Sequence, residues 1–98
     1  MGNYSIICIG NGASLASSCI DDGKPGEQCY FDQQVNPTTS KWRVVPAQGQ
    51  LVGKGYAILF ASQNYCLDAK GGLLFDKTAI ITWLNEGKPN QTWNIIPV

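Results

Sequence analysis

Few residues in this chain could perform covalent or metal chemistry. The 98 residues include four cysteines and no histidine. The absence of histidine excludes Ser-His-Asp and Cys-His nucleophilic sites and removes the commonest metal ligand. No two cysteines form a Cys-x-x-Cys pair, so a structural zinc site is not expected. The sequence therefore predicts a chain without a metal or other cofactor.

The cysteines leave two interpretations open: buried free thiols that act as small hydrophobic side chains, or disulfides. The N-terminal residues 1–6 lack the basic region and apolar stretch of a signal peptide. We therefore expect a cytoplasmic chain, or a mature secreted one with a new start methionine. Free thiols are the interpretation that fits the first of these compartments. The residues in question are Cys8, Cys19, Cys29 and Cys66.

Charged residues are few and balanced, with seven basic and seven acidic side chains that make up 14% of the chain. A neutral surface of this kind does not favour capture of nucleic acid or of anionic membranes. No apolar run reaches the length of a membrane-spanning helix, so membrane insertion is not expected. The acidic pair Asp21-Asp22 lies in a turn, and no acid pair has a motif around it. Glycoside hydrolysis is therefore not predicted, and the chain is not expected to be an enzyme.

The elements that must position any site are short β-strands. Segments rich in β-branched and aromatic residues end at clusters of glycine, proline and asparagine, a pattern typical of an all-β barrel or sandwich. No window keeps a helical apolar period, although 91–93 or 73–75 could form one short turn. The predicted strands are residues 4–9, 42–45, 56–60, 65–68, 79–84 and 93–96.

An internal repeat organises these strands within a single domain, residues 1–98. Trp42 and Trp93 lie in matching segments 51 residues apart (93 − 42), and Tyr4 matches Tyr56 at a spacing of 52 (56 − 4). The segment 19–22 is matched with 66–69, in the same order. Each copy is predicted to hold a first strand, a Cys-Ile/Leu-Asp strand, an aromatic strand and a Trp strand. Lobe 1 covers about 1–46 and lobe 2 about 47–98.

The second copy resembles one lobe of a ricin B-type lectin. The resemblance lies in Cys66-Leu67-Asp68, in the strand that ends at Trp83, and in Asn90-Gln91-Thr92-Trp93, a full match to the closing Gln-x-Trp motif of that family. The first copy is degenerate, with Ser40-Lys41-Trp42 at the closing motif. The family implies an all-β fold of β-trefoil type and a carbohydrate-binding, non-enzymatic lectin whose partners are glycans or glycoconjugates.

By this resemblance the ligand-binding residues are Asp68, Trp83, Asn90 and Gln91, of which Gln91 would chiefly brace the fold. A sugar site needs an aromatic face for the C–H patch of the ring, a carboxylate for vicinal hydroxyls, and an amide that donates and accepts. Each residue has a structural alternative: Trp83 in the core, Asp68 as a turn acceptor, and Asn90 as a turn former. Trp42 and Trp93 are assigned to the core.

Several positions depart from the family pattern. Ile81 stands where a polar residue is frequent, and Leu84 replaces the cysteine that often bridges back to the counterpart of Cys66. In the first copy the equivalent bridge would join Cys19 to Cys29. A first-copy site would use Asp21 with Tyr30 or Phe31, but Thr39 replaces its closing asparagine.

Two lobes rather than three leave a trefoil incomplete within one chain. Such a barrel would expose apolar strand edges, which proteins normally cover or pair, so we expect a homo-oligomer that completes the trefoil-like fold. Trefoils also include protein-interaction modules such as protease inhibitors, and this is the alternative function. An inhibitor would not need Asp68, Trp83 and Asn90, so these residues distinguish the two hypotheses.

Overall fold

The computed structural model describes residues 3–17, 26–33, 39–60, 64–72 and 78–96 and shows an all-β protein, which confirms the all-β part of the predicted fold. Three short 3₁₀ turns, Gly49–Leu51, Lys70–Gly72 and Pro89–Gln91, are the helical elements among these residues. No helix in the described part of the chain is long and apolar enough to cross a membrane. The strands are β1 (Asn3–Tyr4), β2 (Ser14–Ala16), β3 (Tyr30–Asp32), β4 (Trp42–Pro46), β5 (Tyr56–Phe60), β6 (Tyr65–Ala69) and β7 (Ile80–Leu84).

All strand pairs are antiparallel and fall into two sheets. The larger sheet has the order β1-β4-β5-β6-β7, and the smaller one pairs β2 with β3. Strands β4 to β7 coincide with predicted segments to within one residue. Their Val, Ile, Leu, Phe and Trp content favours extended backbone that packs on one face.

Isolated backbone pairings join the two sheets into a closed circuit. Ile7 pairs with Ser14, which links the continuation of β1 to β2. Gln28 pairs with Ile81, and the Cys29 N–H donates to the Ile80 carbonyl at 2.9 Å, which links the start of β3 to β7. Backbone hydrogen bonds therefore connect strands β1 to β7 in one continuous circuit.

The core lies inside this circuit. Its fully buried members, Trp42, Phe60 and Leu67, come from β4, β5 and β6. The rings of Trp42 and Phe60 have centroids 5.1 Å apart and are tilted by 60°. Partly buried side chains from the rest of the circuit complete the cluster: Ile6, Leu15, Cys29, Ile58, Tyr65, Ile80 and Trp93. Burial of this apolar surface is the main driving force that holds the strands together.

The two repeat copies make the same backbone pairings. Tyr4 pairs with Trp42 in the first copy, and Tyr56 pairs with Trp93 in the second. Ile7 pairs with Ser14, and Leu59, at the matching position, pairs with Cys66. The strand-level repeat predicted from the sequence thus recurs in three dimensions.

The indole N–H groups repeat as well. Trp42 Nε1–H donates to the Leu15 carbonyl at 2.9 Å, and Trp93 Nε1–H donates to the Leu67 carbonyl at 3.2 Å. Trp42 is completely buried, while Trp93 is half-buried and packs against the core cluster. Both tryptophans therefore occupy the core positions predicted for them, and each satisfies its polar atom there.

One match in the predicted repeat is corrected by these pairings. The sequence match placed segment 19–22 opposite 66–69, but the strand that corresponds to β6 is β2, with Leu15 in the position of Leu67. The offset is then 52 (67 − 15), the same as for Tyr4 and Tyr56. Ser14–Ala16 has little intrinsic strand character, so the sequence does not indicate this strand, and its tertiary pairing with β3 determines its conformation. Residues 18–25 lie outside the described part of the chain.

Candidate functional site

An open cavity of about 570 Å³ lies beside β6 and β7. Three of the residues predicted to bind ligand, Asp68, Trp83 and Asn90, line it together. The other lining residues are Gly26, Lys70, Gly71, Gly72, Ile81, Glu86 and Lys88. Residues separated by more than 20 positions in the sequence are therefore brought to one surface.

The register of β6 and β7 accounts for this placement. Asp68 lies opposite Ile81, and Cys66 lies opposite Trp83. Side chains that are opposite each other, or two positions apart on one strand, share a face of the sheet. The carboxylate of Asp68, the apolar wall of Ile81 and the ring of Trp83 therefore share the face on which the cavity lies.

The 3₁₀ turn Pro89–Gln91 delivers two amides to this face. The Asn90 Nδ2 group donates to Asp68 Oδ1 and to the Ala69 carbonyl, both at 3.1 Å. These bonds use both of its hydrogens, and Asn90 Oδ1 remains as an acceptor at the cavity. Asn90 is thus fixed in one amide orientation before any ligand arrives.

Gln91 lies behind the cavity wall and is only 1% exposed. Its Nε2 group donates to Asp68 Oδ2 and to the Leu84 carbonyl, both at 2.9 Å. Its Oε1 atom accepts from the backbone N–H groups of Glu86, at 2.8 Å, and Lys88, at 3.5 Å. Gln91 was predicted mainly as a brace, and its burial and four bonds support that role rather than direct ligand contact.

Asp68 is 5% exposed, and each carboxylate oxygen accepts one side-chain amide hydrogen. A carboxylate offers about four lone-pair sites, so acceptor capacity remains on the side that lines the cavity. The alternative of a local turn acceptor does not describe these bonds, because both donors come from the turn more than 20 positions later. Asp68 therefore joins the closing motif to β6.

Trp83 is 39% exposed, so it belongs to the cavity surface rather than to the core. Gly26 backs its ring: a Cβ atom on Gly26 would lie 3.1 Å from Trp83 Cζ3. The Gly26 N–H donates to the Thr82 carbonyl and holds this contact in place. A residue of lobe 1 thus sets the position of the aromatic ring in lobe 2, a contribution that no local motif signals.

The rim of the cavity carries charges that no motif in the sequence indicates. Lys88 Nζ lies 3.4 Å from Glu86 Oε1 in a solvent-exposed ion pair. Lys70 is exposed at the end of β6 and adds a second cation. No group of three or more cysteine, aspartate or glutamate side chains suited to a metal ion occurs among the described residues.

Cys66, which lies opposite Trp83 in the β6–β7 ladder, is completely buried and is a free thiol, as is Cys8. Burial raises the pKa of the Cys66 thiol to about 12, and the negative charges of Asp68 and Glu86 act in the same direction. Cys66 is therefore a protonated, inert core side chain at neutral pH. The suggested Cys19–Cys29 bridge involves Cys19, which lies outside the described residues.

The first copy does not present the same set of side chains. The register of β2 and β3 matches that of β6 and β7, which places Ala16 at the position of Asp68 and Asp32 at that of Trp83. Thr39 and Ser40 hold the positions of Asn90 and Gln91, and both are buried. Asp21 lies outside the described residues, while Tyr30 and Phe31 are exposed.

Comparisons with protein-family models, with curated proteins and with solved structures found no match for this chain. The likeness to a ricin B-type lobe therefore remains a hypothesis that rests on the motifs of the second copy.

Proposed function

We propose that this chain is a carbohydrate-binding lectin module with one shallow site per chain, related to the ricin B-type β-trefoil lectins through its two repeat copies. The observation that carries the proposal is the convergence of Asp68, Trp83 and Asn90 on one open cavity. Its volume of about 570 Å³ is within the usual range for small-ligand sites, about 300–1,000 Å³.

The lining chemistry suits a neutral or weakly charged sugar. Trp83 offers a partly exposed ring and Ile81 an apolar wall for the C–H face of a pyranose. Asp68 and Asn90 Oδ1 offer acceptors for ring hydroxyls. Because hydrogen bonds already fix both polar side chains, less side-chain entropy is lost on binding.

Binding without catalysis is the better interpretation of the two carboxylates at the cavity. Asp68 accepts hydrogen bonds from Asn90 and Gln91, and Glu86 is paired with Lys88. Both carboxylates therefore already have partners within the chain, and the binding proposed here requires neither of them as an acid or a base. We therefore propose no reaction at this site.

The test is a glycan array probed with the parent chain and two variants. Trp83→Ala removes the stacking face, and we expect at least about a tenfold loss of binding, the equivalent of about 1.4 kcal/mol. Tyr56→Ala is the matched control, because Tyr56 is an aromatic of the same exposure, 39%, outside the cavity lining. Asp68→Asn is a poor test variant, since its new amide would face the donors of Asn90 and Gln91 and disturb the fold.

The outcomes are distinct. Binding of a glycan class by the parent and by Tyr56→Ala, with loss in a folded Trp83→Ala variant, supports the lectin function. A parent chain that binds no glycan, or a Trp83→Ala variant that binds like the parent, contradicts it. Inhibition of a protease by the parent and by Trp83→Ala alike would instead support the protein-interaction alternative.

A further inference from the structure

Strand β4, the Trp strand of the first copy, is paired with a neighbouring strand on both of its edges. It pairs with β1 on one side, where Tyr4 lies opposite Trp42. On its other side it pairs with β5 over five residues, with Arg43 opposite Leu59 and Val45 opposite Ala57. The β4–β5 ladder is the junction between the two repeat copies.

The matching segment of the second copy, residues 93–96, forms an isolated bridge at Trp93 and has only the first of these neighbours. Trp93 pairs with Tyr56 through two backbone hydrogen bonds of 2.8 and 2.9 Å. Among the described residues, no strand pairs with the edge formed by Asn94 and Ile96, the counterparts of Arg43 and Val45. We call this edge, residues 94–96, the Trp edge.

The complementary edge is also unpaired within the described chain. Ser5 and Ile7 are the counterparts of Ala57 and Leu59, the β5 residues whose backbone faces β4. The Ile6 carbonyl and the Cys8 N–H, which point the opposite way in an extended strand, bond to residues in and beside β2 at 2.8 Å each. The side of segment 3–8 that carries the N–H and C=O groups of Ser5 and Ile7 is therefore open among the described residues, and we call residues 5–7 the Tyr edge.

We propose that the Trp edge of one copy of this chain pairs antiparallel with the Tyr edge of another copy. The internal β4–β5 ladder supplies the register: Asn94 opposite Ile7, and Ile96 opposite Ser5. This interface has a second copy of the chain as its partner, because each chain carries both halves of a junction that its own fold already forms once. It uses no residue that lines the cavity, so it does not depend on the proposed function.

The composition of the edges fits this pairing. Natural strand edges are usually protected by lysine, inward-pointing charge or a covering element. Neither residues 4–8 nor residues 93–96 contain a charged side chain. Ile7, Ile95 and Ile96 are 45%, 57% and 72% exposed. The pairing would give these isoleucines cross-strand neighbours and satisfy the open backbone groups of Ile7 and Ile96, as in β-strand addition.

The junction is head-to-tail, because the two edges are different surfaces of the chain. Such a contact forms closed rings when the rotation permits and open filaments when it does not. The smallest closed assembly is a dimer in which each chain supplies one Trp edge and one Tyr edge. Every chain in a closed assembly then has the same environment.

Proline substitutions give a direct test. In Ser5→Pro the Tyr edge loses a donor, and in Ile96→Pro the Trp edge loses one; neither N–H bonds to a neighbouring strand among the described residues. Each variant alone lacks one half of every junction, so we expect both to be monomers in sedimentation at tens of micromolar. Mixed in equal amounts, they retain one good edge each and should form a 1:1 heterodimer. Ile9→Pro is the matched control, since Ile9 is completely exposed and lies outside the residues that would pair in the junction.

The parent and Ile9→Pro are expected to assemble. A monomeric parent at these concentrations overturns the proposal, as do folded proline variants that assemble like the parent or a mixture that stays monomeric. If a proline variant does not melt cooperatively, Ile7→Lys and Ile96→Lys replace the pair, because each places a charge on one exposed edge side chain. The same complementation pattern is then required of them.

Discussion

Asp68 serves the fold and the cavity at once. Two amides from the Pro89–Gln91 turn hold its oxygens, and the same carboxylate lines the cavity. A buried carboxylate needs such donors, because an unpaired charge there would destabilise the fold by about 3–5 kcal/mol. The hydrogen bonds that stabilise the closing turn therefore also preorganise the site.

Cys66 gives a prediction for the pH dependence of stability. Its pKa rises from an ordinary 9.0 to about 12 in the folded chain, chiefly because of burial. Below pH 9 the Cys66 thiol is protonated in both the folded and the unfolded chain, so it does not lower the free energy of unfolding there. Between pH 9 and 12 only the unfolded thiol ionises, so the free energy of unfolding should fall by up to about 1.4 kcal/mol per pH unit.

The measurement is urea unfolding at pH 8.0 and 10.5 for the parent and for Cys66→Ala. The parent should lose about 2 kcal/mol more than the variant over this interval, whatever the absolute stability of either. Lysines and tyrosines titrate in both proteins and cancel in the comparison. Equal losses in the two proteins would show that Cys66 is not the group responsible.

At this scale the sequence singled out three of the residues that line the cavity but not the others. Asp68, Trp83 and Asn90 were identifiable because each belongs to a local motif of the second copy. Gly26 and Glu86 were not, because their contribution depends on which loops the fold brings to β7. Gly26 in particular acts through the absence of a side chain, which leaves no chemical signal in the sequence.

At the scale of the elements, local composition predicted β4 to β7 well and β2 poorly. Val, Ile, Leu and aromatic residues dominate the four strands, whereas Ser14–Ala16 holds a single large apolar residue. Cys19-Ile20-Asp21 matched the second-copy motif in composition, and this misled the alignment of the copies. The tertiary pairing of Leu15 with Phe31 shows the correct equivalence.

Gly55 provides a prediction for the junction between β5 and the Trp strand of the second copy. Its φ is +148°, and a Cβ atom there would lie 2.8 Å from the Trp93 carbonyl oxygen. Gly55→Ala should therefore destabilise the fold through both backbone strain and a clash with another main chain. We expect the clash alone to cost about 1–3 kcal/mol.

Gly53→Ala is the control for this prediction. Gly53 also has a positive φ, +79°, but no atom lies within 4 Å of the place that a Cβ atom would occupy. The free energy of unfolding of Gly53→Ala should fall only by the cost of placing alanine at a positive φ, about 1 kcal/mol. Denaturant unfolding of both variants separates strain from close approach, and equal losses would contradict the role assigned to Gly55.

At the scale of the molecule, the closed circuit means that no sheet can open without breaking pairings elsewhere. The Leu15 N–H donates to the Ile6 carbonyl, and the Thr82 N–H donates to the Glu27 carbonyl, so the two sheets are tied at two places. All-β character was predictable from strand and turn patterns. The closure was not, since it depends on single pairings such as Gln28 with Ile81 that lie outside any regular strand pair.

Native-state hydrogen exchange tests this cooperativity. The amides of Leu15, Cys29 and Thr82 should exchange with opening free energies within about 1.4 kcal/mol of one another, a tenfold range of protection. They lie in or beside β2, β3 and β7 and belong to both sheets. Exchange of Leu15 several hundredfold faster than Thr82 would show that the small sheet opens independently. The Ser5→Pro variant is the appropriate sample, because assembly would otherwise add its own protection.

The contact between Gly26 and the Trp83 ring shows how the two copies differ in what they contribute to the cavity. The first copy has Ala16, Asp32 and Thr39 where the second has its polar and aromatic site residues, yet it supplies the surface on which Trp83 rests. The two copies thus contribute differently to the cavity, the second with its polar and aromatic lining and the first with the backbone against which the Trp83 ring lies. Neither copy alone would contain all of the residues that line the cavity.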